Sequence, residues 1–218
     1  VARPPQRPVL PPPAPPPVPE ARPVDLDGLA ARVRDCRRCK LCLTRTNTVF
    51  GVGSPRAPVV FVGEGPGEEE DRRGEPFVGP AGRLLDRMLF SIGFTRDQVY
   101  IANVVKCRPP GNRNPDPDEV ATCQGYLFDQ LTMIRPRVLF ALGRFAIISL
   151  LGRTDAVGRV RGRVYEWRGI PVVASYHPAF YLRQPGFKKA AWQDLLTLKK
   201  LLDQAAPGNQ AAPGPTAS

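Results

Sequence analysis

Long apolar runs are missing from this sequence. The longest candidate, Val138 to Leu151, is broken by Gly143 and Arg144 and falls short of the ~20 apolar residues that a bilayer-crossing helix needs. The N-terminal stretch lacks the apolar core of a secretory signal, so the expected location is cytoplasmic, with no membrane association. Acidic residues are in deficit: 20 Asp and Glu stand against 31 Lys and Arg, a formal charge of +11. A polyanionic partner is implied, although a merely solvated basic surface would look the same by charge alone. The excess is not carried by a tail. Residues 1–24 hold Arg3, Arg7 and Arg22 against Glu20, which leaves about +9 on the remainder. A second, separate Cys-x-x-Cys pair, usual in a zinc ribbon, is also missing, as are the dinucleotide fingerprint and the Gly-Lys-Ser/Thr of a phosphate loop.

What is present divides the chain in three. Proline crowds residues 1–24, which read as an extended or disordered arm. Residues 205–218, rich in Ala, Pro and Gly, read as a flexible tail. Between them, residues 25–204 make one domain with 42% apolar and 23% charged residues across the whole chain, ordinary values for a globular protein. Apolar runs at 58–62, 99–105, 138–142 and 170–174 predict strands. Helical spacing predicts helices at 81–92, from Asp116-Pro117 onward, at 144–151 and at 187–202, with a hairpin-like stretch at 158–167. Continuous Val/Ile/Leu runs separated by helices predict an α/β fold, a three-layer α/β/α sandwich around a mainly parallel sheet. Ligands of such sheets bind beyond the carboxyl ends of the strands. Glu64, Asn103 and His177 all fall there.

Five cysteines are present, Cys36, Cys39, Cys42, Cys107 and Cys123. An odd number in a reducing compartment argues against a disulfide framework. Cys36-x-x-Cys39 lets two sulfurs reach one metal centre, and Cys107 with Cys123 could close the site. Spacing leaves zinc and an iron–sulfur cluster as rivals, with four unrelated buried thiols as the plain alternative. Cys42, between Leu41 and Leu43, reads as a packed thiol. The turn Gly63-Glu-Gly-Pro-Gly67 suits close approach of backbone to a ligand, although a Gly-rich acidic turn is commonly a solvated loop. His177 is the only histidine; it follows a strand and precedes Pro178, which fixes its backbone. Phe180-Tyr-Leu-Arg183 reads as a loop tip suited either to insertion into a base stack or to ordinary packing.

Taken together, Gly63-Glu-Gly-Pro-Gly67, Glu70-Asp71, Pro76-Phe-Val-Gly79, Asn103-Val-Val-Lys-Cys-Arg-Pro-Pro-Gly111 and His177-Pro178 resemble, in order and spacing, the family 4 uracil-DNA glycosylases. The similarity runs from about Val33 to Leu202. It implies a uracil-DNA glycosylase-like fold and a monomeric DNA-repair enzyme. That enzyme flips uracil out of single- or double-stranded uracil-containing DNA and hydrolyses its glycosidic bond. It further implies a structural [4Fe–4S] cluster on Cys36, Cys39, Cys107 and Cys123, with Cys42 free. Phe77 would stack on uracil, Asn103 would bond its edge, and Glu70 would exclude a 5-methyl group. His177 would donate to the uracil oxygen that gains charge, and Glu64 would position the water. The family's usual alanine after this glutamate is here Gly65, a uracil-binding position whose change should be tolerated while altering turn flexibility. Two other readings compete. A metal-stabilised DNA-binding protein without catalysis leaves Glu64, Asn103 and His177 unassigned. A related group that becomes trapped covalently on DNA carries an extra His-bearing insertion, where this chain has Asp71-Arg-Arg-Gly-Glu75 and no histidine.

Overall fold

The computed structural model describes residues 25–204; the proline-rich arm and the tail expected at 1–24 and 205–218 lie outside the described residues. Six strands, β1 (Val52–Gly53), β2 (Val59–Gly63), β3 (Tyr100–Asn103), β4 (Val138–Leu142), β5 (Val164–Trp167) and β6 (Ile170–Ser175), form one sheet in the order β1-β3-β2-β4-β6-β5. The four central strands are parallel, and both edge strands are antiparallel. The helices are α1 (Leu26–Arg34), α2 (Glu68–Arg73), α3 (Pro80–Ser91), α4 (Pro117–Ile134), α5 (Arg144–Leu151), α6 (Val157–Val160), α7 (Pro178–Arg183) and α8 (Lys188–Gln204). None is long and apolar enough to cross a membrane.

Successive strand residues point to opposite faces, and here both faces are covered. Val59, Phe61, Val138, Phe140 and Val173 pack with Leu85 and Leu89 of α3 and Leu195 and Leu198 of α8. Val60, Val62, Leu139, Ala141 and Val172 pack on the other side with Leu29 of α1, Leu127 and Leu131 of α4 and Ile147 of α5. With no solvated face, no alternation is possible, which is why the strands read as unbroken apolar runs. The three-layer α/β/α sandwich is therefore what the sequence predicts.

Helix ends follow local chemistry. Asp116 caps α4, Pro117 occupies its first position, and the Glu119 carboxylate accepts from the Asp116 N–H at 2.7 Å. One segment departs from expectation: 180–183, expected as a loop tip, is helical. Nδ1 of His177 accepts from the Ala179 N–H at 3.2 Å and Pro178 stands first, so α7 starts at a histidine cap. Tyr181 is buried, Phe180 stacks on Tyr176 with centroids 4.2 Å apart, and Leu182 is exposed. The hairpin-like stretch holds α6 and then the β5–β6 hairpin. Strand β3 stops at Asn103, short of the predicted 105, while α1 and β1 were not foreseen.

A buried polar network fastens α8 to the end of β6, just before His177. Asp194, fully buried, accepts from Arg161 at 2.8 and 3.0 Å and from the Ser175 hydroxyl at 2.8 Å; Ser175 Oγ also meets Tyr181 Oη at 2.8 Å. Removing one partner of a buried pair strands the other charge. Asp194→Ala is therefore expected to destabilise the fold by about 3–5 kcal/mol. Urea unfolding, read as a lower midpoint at unchanged slope, checks it.

Candidate active site

A cavity of about 500 Å3 opens at the carboxyl ends of the central strands and is lined by Glu64, Gly65, Glu70, Phe77, Asn103 and His177. All six pocket residues expected from the sequence converge on it. Their convergence follows from topology. β3 and β4 leave β2 on opposite sides, so a crevice forms where strand order reverses. Glu64 follows β2, Asn103 ends β3, and His177 follows β6.

The Glu64 carboxylate has no hydrogen-bond or ion-pair partner among the described residues, and burial alone pushes it up to about 7. It does not brace the glycine turn; Glu70 does. The Glu70 carboxylate accepts from the N–H groups of Gly67 at 3.1 Å, Val78 at 2.9 Å and Gly79 at 2.8 Å, clasping the two turns together. The next residue, Asp71, is buried and accepts from the Thr46 and Asn47 N–H groups at 2.9 and 3.3 Å. Glu70 and Asp71 are thus internal wiring, while Glu68 is exposed and Glu69 pairs with Arg72 at the surface of α2. At Gly65 the structure answers the departure from the family pattern: a Cβ there would lie 2.6 Å from Val105 Cγ2, so an alanine would need that neighbour to shift.

His177 is half-buried, its ring stacked on Phe77 with centroids 5.4 Å apart. Burial, with help from Arg183, lowers it to about 4, so it is neutral at pH 7. Because Nδ1 accepts from Ala179, the proton belongs on Nε2, which is then a donor. Asn103 is buried, and its Oδ1 has no partner among the described residues. An unpaired buried amide oxygen costs about 1–3 kcal/mol, which a ligand would relieve. Phe77 adopts φ 55°, a left-handed backbone that is strained for a bulky side chain. A Cβ on Gly82 would collide with its carbonyl, so the glycine in α3 is required. Sequence reasoning missed what holds Phe77: Arg96, whose guanidinium donates to the Pro76 and Phe77 carbonyls at 2.6 and 3.1 Å. No local pattern marks a contact nineteen residues away.

The thiols gather at a second place. Cys36, Cys39, Cys42, Cys107 and Cys123 line one small cavity with Arg45, Lys106 and Tyr126. Cys42 faces it as well, while Leu43 is exposed. Arg45 donates to Cys107 Sγ at 3.0 Å and the Lys106 N–H to Cys123 Sγ at 3.2 Å. Burial pushes the Cys123 thiol up to about 12 and raises Cys39 and Cys107 too. Among the described residues no three His, Cys, Asp or Glu side chains close tightly enough on one point to hold a metal ion. The soft, all-sulfur set surrounds a space instead.

Residues 50–196 match the family model for the uracil DNA glycosylase superfamily. The chain belongs to that superfamily. It is 46% identical over 190 residues to a type-4 uracil-DNA glycosylase of Archaeoglobus fulgidus, covering 84% of this chain and 96% of the relative. A type-4 uracil-DNA glycosylase of Thermotoga maritima is 47% identical over 157 residues, 71% of this chain and 82% of that one. A type-5 uracil-DNA glycosylase of Pyrobaculum aerophilum is 32% identical over 187 residues, 70% and 82%. This superfamily member therefore sides with type 4.

Glu64 and His177 move apart chiefly through burial, with Arg183 adding to the shift of His177. His177 lies below its unfolded value, so its contribution to stability is complete above about pH 6.5 and is lost as pH falls towards 4. Glu64 lies above its unfolded value, so its contribution is complete below about 4.5 and is lost as pH rises through 7. As the only histidine, His177 gives one imidazole signal. It should titrate near 4 by NMR, and the carboxyl signal that Glu64→Gln removes should titrate near 7.

Proposed function

We propose that this chain excises uracil from DNA, hydrolysing the bond between uracil N1 and deoxyribose C1′ to leave an abasic site and free uracil. One observation carries the reading: Asn103 holds an unpaired buried amide in the same cavity as the Phe77–His177 ring pair, a strand-end Glu64 and the Glu70 clasp. A base inside a duplex cannot be reached, so the nucleotide is flipped into this cavity at an unstacking cost of a few kcal/mol. Phe77 stacks on the ring, and the Asn103 amide pairs with its edge. Gly65 lets the backbone come close, and Glu70 stands against the 5-position, where a thymine methyl would collide. As the C1′–N1 bond breaks, its electron pair passes into the uracil ring. Nε2–H of neutral His177 donates to the oxygen that gains this charge, a hydrogen bond that strengthens in the transition state. Glu64 holds the water that adds to C1′, takes up the proton this water gives up and faces the cationic sugar, while the departing uracil anion gains a proton from solvent to become free uracil. The basic body supplies phosphate contacts that carry no sequence preference. The acting unit is residues 25–204, working as a monomer.

We propose further that Cys36, Cys39, Cys107 and Cys123 hold a [4Fe–4S] cluster, with Cys42 beside it and unligated. Buried thiols with raised values would not ionise alone, and a soft four-sulfur set with N–H donors to two of the sulfurs suits iron and sulfide. The cluster supplies structure by tying α1 and the following turn to α4; no step of base release runs through it. Single replacement of the four ligands by Ala is expected to lose iron and to lower thermal stability, since ligation is coupled to folding. Cys42→Ala should retain both. Metal analysis of anaerobically purified protein decides, and stoichiometric zinc without iron would count against the cluster.

Release of uracil from a uracil-containing oligonucleotide, followed by alkaline strand cleavage, tests the main reading. Asn103→Ala should lose about 1–3 kcal/mol of transition-state stabilisation, some ten- to a hundredfold in kcat/KM. The single-turnover rate should rise with pH through about 7, as Glu64 ionises, and Glu64→Gln should abolish that limb. Parent rates in Glu64→Gln and His177→Ala would refute the assignment.

A further inference from the structure

We infer that Arg96 is a positioning residue that sets the stacking face of Phe77 by clamping its strained backbone. The inference takes its functional meaning from the uracil-excision reading. Arg96 sits in the turn between α3 and β3, with about a quarter of its side chain exposed. Nη2 donates to the Pro76 carbonyl at 2.6 Å and to Glu75 Oε1 at 3.3 Å; Nη1 donates to the Phe77 carbonyl at 3.1 Å and to Asp86 Oδ1 at 2.9 Å. Two consecutive carbonyls are thus turned towards one planar cation, flanked by two carboxylates that fix its plane. A lysine could not span both carbonyls with the same geometry.

The consequence falls on Phe77. At φ 55° its conformation is not one a phenylalanine adopts unaided. On its other side the N–H groups of Val78 and Gly79 are taken by Glu70. The Pro76 and Phe77 carbonyls go to Arg96 and the Val78 and Gly79 N–H groups go to Glu70, so the two charged groups hold the same bend and share the Phe77–Val78 peptide between them. The α3 helix closes against it at Gly82. The result is a Phe77 ring aimed into the cavity and lying on His177, with a Cβ at Gly63 excluded by the ring at 2.6 Å. Arg96 lies outside the cavity lining and would touch no base. Its effect reaches the substrate only through Phe77.

That dependence is testable as a double-mutant cycle on Arg96→Met and Phe77→Ala, with Arg96→Lys as a variant that keeps the charge. The single imidazole signal of His177 reports the Phe77 ring current without any need for activity. Phe77→Ala should move this signal, and Arg96→Met and Arg96→Lys should move it the same way. Adding Arg96→Met to Phe77→Ala should move it no further. In single-turnover uracil release, Arg96→Met should cost on the order of tenfold or more, since small misplacements at reacting groups cost up to about a hundredfold. The double variant should be no slower than Phe77→Ala alone. An unmoved imidazole signal in Arg96→Met, or rate losses that multiply in the double variant, overturns the inference. A parent protein that releases no uracil instead overturns the excision reading, and the NMR cycle still decides the clamp.

Discussion

The five residues Asn103 to Cys107 are the hinge on which the two sites turn. Asn103 ends β3 inside the cavity, and Cys107, four residues on, faces the thiol space. The residues between are gripped. Val104 and Val105 donate to the Gly63 and Glu64 carbonyls at 3.0 and 3.1 Å, carrying sheet pairing past the end of β2 into the glycine turn. Lys106 is fully buried, with Nζ bonded to the Asn103 carbonyl at 2.9 Å and to Gln130 Oε1 at 2.6 Å. Burying an ammonium is expensive, and here burial lowers it to about 8. Such a group persists where it fixes geometry, and what it fixes is the carbonyl of the residue whose amide faces the cavity. Whatever anchors Cys107 therefore also bounds the freedom of Asn103. A purely structural metal centre would in this way serve base recognition without taking part in chemistry.

The acidic motif shows how one short stretch divides its carboxylates by environment. Glu64 is half-buried with no partner among the described residues and is pushed towards neutrality. Glu70 spends its oxygens on three N–H groups. Asp71 ties the segment after the cysteine turn to α2, taking N–H groups of Thr46 and Asn47 while the Asn47 amide returns to its carbonyl at 2.9 Å. Two of the three are satisfied scaffolding, and their satisfaction is what leaves the third conspicuous. In folded proteins buried polar groups are almost always paired, so the unpaired amide oxygen of Asn103, in one cavity with a half-buried carboxylate that has no partner among the described residues, supports the proposal that a ligand binds there.

How much of this was legible beforehand depends on the range of each interaction. The four central strands and the helix at 144–151 were readable because burial on both faces leaves unbroken apolar runs, and 138–142 falls on β4 without adjustment, whereas the half-exposed edge strand β1 has no such run. Glu64, Asn103 and His177 could be grouped because one topological rule places strand ends together. Helix α7 was missed because its cap is a histidine, a residue outside the usual capping set, and because its aromatic sequence suits a loop equally well. The Phe77 bend was invisible for a different reason. Nothing in Pro76-Phe-Val-Gly79 demands a left-handed phenylalanine; Arg96, Glu70 and Gly82 impose it from three separate elements. The proposed cysteine ligand set sits between these cases, since spacing suggests that Cys36, Cys39, Cys107 and Cys123 share one centre, yet only the fold brings Cys42 to the same cavity.

The opposed shifts of Glu64 and His177 bear on how the proposed reaction gains its rate. Both arise chiefly from burial, with Arg183 adding to that of His177, so the free site holds a neutral donor and a carboxylate whose charge is poorly supported. A group that interacts equally with ground and transition states accelerates nothing. The Glu64 carboxylate interacts unequally, because the sugar is neutral before the bond breaks and cationic as it does. At about 4 Å, with an effective dielectric of about 20, an ion pair of this kind is worth about 4 kcal/mol. Solvating partners around Glu64 would screen that gain, and the structure supplies none among the described residues. The neutrality of His177 completes the logic. An imidazolium would sit close to the developing sugar cation and oppose it, whereas Nε2–H of a neutral ring supports only the departing base. In the proposed reaction the Glu64 carboxylate would thus answer the positive charge on the sugar and neutral His177 the negative charge on the base, with burial the main cause of both shifts and Arg183 adding to that of His177.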